Sequence, residues 1–316
     1  MRRTAAAVTA AILASAPSVH AEEFFAIRDE NPLIRGFYLP LPSDMRLDAP
    51  ASVSATLLIS NTLNVEKNSH ETLLVDGESD VLDLTYDNAL SQSWRYRLSL
   101  PVVHDSGGFL DSVIDTWHEI FGFNRGNRPF YPKGQIDYFY SGQGMVSLHH
   151  PQTSVGDLAA DAGWYALDDA RRSVSLWGGI KAPTGSVADL TSDGAWDGAL
   201  WAHAAMRWPQ WQLAAEVGMA QPFGDEIFAG HAHRSSVFAR FALGRTLGPA
   251  WTLRAQLDAQ SGRVAGSDTR FLGPSMQLTV GAARRLRGRW RIQMGFAEDI
   301  AVNTAPDITF FLGIRD

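Results

Sequence analysis

Apolar and polar residues alternate strictly along residues 251–260, "WTLRAQLDAQ". Trp251, Leu253, Ala255, Leu257 and Ala259 fall on one parity, and Thr252, Arg254, Gln256, Asp258 and Gln260 on the other. A helical spacing of three and four would carry Arg254 and Asp258 onto the apolar face, so the pattern predicts a strand with two unlike faces. The same test returns eleven further segments: 52–60, 79–88, 93–103, 154–167, 171–182, 198–208, 211–220, 236–245, 275–286, 290–299 and 308–314. Most have a length that suits a tilted membrane-crossing strand, which takes about 9–11 residues.

The connections separate a soluble sandwich from a membrane barrel. After the second, fourth, sixth, eighth and tenth segments they are tight: "ALSQ", "DDA", "PQ", "TLGPA" and "RGR". The intervening ones are long, as in "PTGSVADLTSDGAWD", "QPFGDEIFAGHAHRS" and "SGRVAGSDTRFLGP". Regular alternation of short and long predicts one set of turns on each side of a membrane. A Greek-key sandwich has no reason to produce it. The expectation is an all-β fold, a 12-stranded antiparallel transmembrane β-barrel spanning residues 22–316, with short turns on the periplasmic side.

Tryptophan supports that orientation. Trp94, Trp164, Trp208, Trp211, Trp251 and Trp290 all fall near a short turn, as an aromatic girdle at the periplasmic interface requires. The opposite parity is charged. Arg95, Arg97, Lys181, Arg207, Arg240, Arg254, Arg285 and Arg291 share the lumen-facing positions with Asp83, Asp87, Asp157, Asp161, Glu216 and Asp258. Unpaired, such a row would be prohibitive in an apolar core. In a barrel lumen it predicts either a pore lining or a set of pairs that fills the interior. Trp177 and Trp201 also point inward by parity and would offer a stacking surface for a sugar or an apolar ligand.

The connection after the third strand, residues 105–153, differs from the others. Leu110, Val113, Ile114, Trp117 and Phe121 follow one face of a helix, with Asp111, Asp115 and Glu119 on the other. This helical insert is expected on the extracellular side as a plug folded into the lumen or a lid across its mouth. "HEIFGFNRGNRPFYPKGQIDYFY" follows, and then a strand through "ADAGWY". These segments resemble an uncharacterised family of proteobacterial exported proteins, domain of unknown function 3187. The resemblance implies a barrel-like fold over nearly the whole exported chain and supplies no activity and no site.

Composition narrows the picture further. Arg2 and Arg3, the small apolar run "TAAAVTAAILASA" and "VHA" at residues 19–21 read as a Sec-type export signal, residues 1–21. Its removal leaves 295 of 316 residues and takes the net charge from −7 to −9. An acidic chain with no long basic tract argues against nucleic acid as a partner. No cysteine is present, which excludes a disulfide scaffold and a lipid-anchor cysteine. No phosphate loop, dinucleotide turn or zincin helix occurs, and neither a cofactor nor a metal is expected.

Histidine gives the one catalytic alternative. Beyond the leader only His203 lies in a predicted strand, and the rest map to the extracellular side. His231 and His233, with Ser235 or Ser236 nearby, are candidates for a metal pair or a nucleophile at the extracellular rim. The expected function is passage of a small solute through the lumen. A rim hydrolase acting on outer-leaflet lipid and a non-catalytic envelope scaffold are the alternatives. The expected partners are outer-membrane lipids, the barrel assembly machinery that would read the last strand, and a small-molecule solute.

Overall fold

The computed structural model describes residues 23–43, 46–122, 127–232 and 235–316. The expected export signal and His233 lie outside them. Strand β1 (Ser52–Lys67) pairs antiparallel with β2 (Thr72–Ala89), and β2 with β3 (Trp94–Ser106). Helix α1 (Leu110–Phe121) follows, then a hairpin of β4 (Asp137–Ser141) and β5 (Met145–Leu148) that adds to the far end of β2. The short β6 (Gln152–Val155) and β7 (Leu158–Asp168) flank β3 as a single stave interrupted at Gly156 and Asp157. Seven staves then come in chain order: β8 (Arg172–Ala182), β9 (Asp197–Arg207), β10 (Trp211–Pro222), β11 (Ser236–Leu247), β12 (Trp251–Gln260), β13 (Ser275–Arg285) and β14 (Arg291–Asp299). Finally β15 (Ile308–Arg315) pairs with β1, from Ser54 opposite Arg315 to Asn61 opposite Ile308. The sheet is a closed antiparallel barrel of twelve staves, the fold that the alternation predicts.

The stretch 251–260 is β12 in full. Its apolar parity and that of its neighbours stand exposed on the outside: Leu176, Ile180, Leu200, Val217 and Val237 are all more than half exposed. An apolar belt of that extent is tolerated only against lipid.

Two staves run past the limits that alternation suggests. Residues 61–67 and 72–78 extend β1 and β2 beyond the belt on the long-loop side. They show no two-faced pattern because both faces are covered there. Leu73 and Val75 are buried on the inward face, while Asn61, Asp76 and Glu78 are buried on the outward face.

Residues 23–43 and 46–50 do not join the wall. They enter the barrel at the short-turn end, where Glu23 meets His203 and Arg207 near the end of β9. They rise to the long-loop end, where Asn31 Nδ2 donates to the carbonyl of Phe271. A turn follows, closed by Ile34 and Arg35 N–H groups on the Asn31 carbonyl. The chain then descends until Leu47 N donates to Asp168 at the short-turn end of β7, and β1 begins. The barrel therefore encloses a hairpin with both arms open toward the short-turn end.

The hairpin tip is capped. Leu33, Ile34 and Phe37 join Leu73, Tyr138, Phe228, Phe271 and others in an apolar core built from the long connections. Glu71, in the β1–β2 turn, fastens this cap. It accepts from Tyr140 Oη (2.6 Å), Asp268 N (2.7 Å) and Asn68 Nδ2 (3.2 Å). Burial pushes its carboxyl up, but these hydrogen bonds outweigh burial and hold it below its ordinary value of 4.5. A carboxyl depressed by folding contributes stability that is full above its ordinary value and is lost as pH falls through the lowered one. As pH falls through that lowered value the cap should loosen, read as faster hydrogen exchange at residues 265–272 after correction for intrinsic rates. Glu71→Gln should exchange fast at neutral pH and show no such acid step.

Candidate functional site

The inward parity builds a charged wall. Arg95, Arg97, Lys181, Arg207, Glu216, Arg240 and Arg254 are buried inside the barrel, and Asp258 is half-buried beside them. Most of these charges find their partner on the wall itself. Arg95 Nε donates to Asp87 Oδ1 at 2.8 Å, and Arg97 Nη2 donates to Asp161 Oδ2 at 2.7 Å. Arg240 lies 3.0 Å from Glu216 and 3.2 Å from Asp258. Lys181 sits among Asp157 (2.8 Å), Asp193 (2.5 Å) and Asp197 (3.3 Å). Pairing across adjacent staves offsets the desolvation that would otherwise forbid these groups. Arg285 and Arg291 are placed differently. They face each other across the short-turn end of β13 and β14, half-buried, and Arg285 Nη2 donates to the Pro249 carbonyl.

The space between these walls holds the hairpin. On its rising arm Phe25 N donates to Gln256 Oε1 at 2.7 Å, Arg28 pairs with Asp83 at 3.1 Å, and Asp29 accepts from Ser275 and Gln260, both at 2.8 Å. At the tip Arg35 pairs with Asp105 at 2.5 Å and donates to Ser79 at 2.9 Å. The descending arm is read mainly through its backbone. Lys181 Nζ donates to the Gly36 carbonyl, Arg240 Nη2 to Pro40, and Arg97 to Leu41 and Pro42, all at 2.6 Å. Asp197 and Glu216 accept from Tyr38 N and Ser43 N, each at 2.7 Å. Arg95 Nη1 closes the arm on the Ala49 carbonyl at 2.7 Å.

Trp177 and Trp201 do point inward, but their rings stack on each other at 5.9 Å and 13°. Arg97 lies 5.8 Å over Trp177, and Trp201 Nε1 donates to Ser43 Oγ at 2.7 Å. Small residues make room for this packing. A Cβ at Gly36 would come within 2.7 Å of the Ser192 backbone, and one at Gly179 within 2.3 Å of Tyr38 Oη and Asp161 Oδ1.

The helical insert stands elsewhere. Leu110 N and Phe109 N donate to Glu78 at 2.9 Å and 3.3 Å, while Asp111 receives Asn61 Nδ2 at 3.1 Å and Arg128 at 3.0 Å. Glu78 and Asn61 lie on the outward parity of β2 and β1, so α1 packs against the outside of the extended β1–β2 pair. Leu110 and Ile114 are buried there and Val113 is half exposed, while the side chains of Trp117 and Phe121 are outside the described part. Of the two expected placements, plug or lid, the helix is not a plug: it lies on the outer side of the wall. The carboxylate of Glu78 holds the N-terminal amides of the helix, and residues 23–50 take the lumen. That segment left a sequence signal, because 28 residues rich in Phe, Ile, Leu and Pro are too apolar for a solvated tail and too irregular for a strand.

At the long-loop end, His231 and Ser235 are exposed on the connection after β10, which Asp225 fixes through the Phe228, Gly230 and Ala232 N–H groups. Among the described residues no group of three or more His, Asp or Glu side chains is placed to hold a metal. Trp94, Trp164, Trp208, Trp211, Trp251 and Trp290 lie at the short-turn end, 38–49% exposed, so each ring is half covered and half free.

The chain belongs to the family described as "Protein of unknown function (DUF3187)", whose model matches residues 2–316. Its structure is similar to the crystal structure of an outer membrane channel from Pseudomonas putida F1. That match has 16% identity and a TM-score of 0.56 over 89% of this chain and 96% of that one. It is also similar to the KdgM porin, at 8% identity and a TM-score of 0.45 over 84% of this chain and 97% of that one. No curated protein matches the chain. The first likeness shows the fold, an outer-membrane type of barrel.

The seating of the hairpin can be tested without any activity. Gly179→Val pushes a side chain into the place of the Tyr38 phenol. The barrel should still form, seen as heat-modifiable mobility on a gel, while trypsin should cut at Arg28, Arg35 or Arg46 at least about tenfold faster than in the parent chain. An unchanged cleavage rate in a folded barrel would mean that the hairpin does not depend on this contact.

Proposed function

We propose that the protein is a gated outer-membrane channel for a small solute and that residues 23–50 are its gate. The observation that carries this reading is the division of charge. Arg95, Arg97, Lys181 and Arg240 each keep a carboxylate partner on the wall or its connections, and the descending arm adds chiefly backbone groups to them. Withdrawal of the hairpin would leave these four cations still paired on a polar wall, while Asp83, Asp105 and Arg207 would exchange their hairpin partners for water. A barrel meant to stay filled gains nothing from such a lining, because apolar packing of the same volume serves stability at least as well.

The apolar belt and the tryptophans at its periplasmic edge would contact outer-membrane lipid. The last strand, with Phe310, Leu312 and Ile314 on its outward face, is the feature that assembly machinery would recognise. The lumen residues Arg95, Arg97, Lys181, Arg207, Glu216, Arg240, Arg254 and Asp258 would line the open path, with Arg285 and Arg291 at its periplasmic exit.

Arg35 offers the sharpest test. Its removal leaves Asp105 buried without its cation, which destabilises the closed state by about 3–5 kcal/mol. In planar bilayers the full-length chain should open rarely, and Arg35→Ala should raise the open probability at least about tenfold. Silence from a folded Arg35→Ala barrel, and from Arg28→Ala with Arg35→Ala together, would mean a permanently filled lumen.

A further inference from the structure

The descending arm is held in the manner of a bound peptide. Along residues 36–43 the wall offers a cation to the Gly36 carbonyl, a carboxylate to Tyr38 N, guanidinium groups to the Pro40, Leu41 and Pro42 carbonyls, and a carboxylate to Ser43 N. Donors and acceptors thus follow the order of a main chain. The acceptors stand at Tyr38 and Ser43, outside the segment in which Pro40 and Pro42 have no N–H to give. A chain with other residues at those two places would bring amide protons up against guanidinium groups, at the cost of unmet donors in a dry site.

We propose that this groove, formed by β3, β7, β8, β9, β10 and β11, is a binding site for an extended, proline-containing oligopeptide that residues 36–43 occupy as a built-in competitor. The groove does not depend on its occupant for its shape. Arg97 is fixed by Asp161, Arg240 by Glu216 and Asp258, and Lys181 by Asp157 and Asp193, so the reading groups are preorganised. A carbohydrate suits the site less well. Its hydroxyls donate and accept alike and would gain nothing from the fixed order, and the faces of Trp177 and Trp201 that would stack on a sugar ring are turned toward each other. The proposal rests on the channel reading only for the step in which the hairpin leaves.

The test uses a fluorescently tagged, amidated octapeptide with the sequence of residues 36–43, GFYLPLPS. Its binding is measured by anisotropy to the full-length chain, parent and Arg35→Ala, in detergent. Binding to Arg35→Ala should be at least about tenfold tighter than to the parent, whose groove is occupied. Replacing both prolines by alanine should weaken it about tenfold, and so should Arg240→Gln in the Arg35→Ala background. Should Arg35→Ala lose heat-modifiable mobility, Arg28→Ala loosens the other arm and takes its place. No binding to a folded, loosened variant, or binding indifferent to both prolines and Arg240, would overturn the proposal. Conductance recorded on the same samples separates the two readings. Current without peptide binding would sink the peptide site and leave the channel, and binding without current would do the reverse. Current that the octapeptide blocks would support both.

Discussion

A closed barrel of twelve staves encloses more space than its own inward side chains can fill. Smaller barrels pack their interiors solid, and much larger ones leave an aqueous channel. At this size the interior must take either water or a guest, and a guest made of polypeptide brings along backbone groups that need hydrogen bonds. That requirement organises the molecule. Arg95, Arg97, Lys181, Arg240, Asp197 and Glu216 serve the backbone of residues 36–49, doing what a neighbouring strand would do for a stave.

The same requirement explains how so many charges tolerate burial. A guanidinium has several donors, and Arg95, Arg97 and Arg240 each share them between a wall carboxylate and a hairpin carbonyl. Arg97 gives Nε and Nη2 to Asp161 and still reaches Leu41 and Pro42. The planar fork of arginine suits this double duty. Lysine appears where three carboxylates and one carbonyl converge from different directions, around Lys181, and there a compact point charge is the better fit.

Legibility in the sequence followed exposure to two solvents. Wherever one face of a stave meets lipid and the other a polar interior, as in β12, alternation marks the element to within a residue or two. It fades in the upper part of β1 and β2, because α1 covers the outward Asn61 and Glu78 while the apolar cap covers the inward Leu73 and Val75. It fails altogether for residues 23–50. There the backbone is satisfied by side chains scattered over the staves, so no period of 2 or 3.6 is written into the segment. The charged lumen row was legible by parity. Which segment those charges hold was not, since the contacts join residues far apart in the chain, 200 positions between Arg240 and Pro40. The helix α1 was found in the right place in the chain, while the choice between a plug in the lumen and a lid across its mouth stayed open, because an apolar stripe does not say which surface it covers.

The two ends of the hairpin fix the order in which the lumen could open. Both arms point to the short-turn end, and the descending arm runs directly into β1, so the segment can leave only in that direction. Its tip, however, is the part most firmly seated in apolar surroundings, with Leu33, Ile34 and Phe37 set among Tyr138, Phe228 and Phe271. Drawing the arms down therefore requires the tip to leave the cap, and the cavity left behind would cost the cap its core. Hairpin and cap are thus one cooperative unit. Loosening the cap from outside and drawing the hairpin from within act on the same contacts, and a signal delivered at either end of the barrel would be felt at the other.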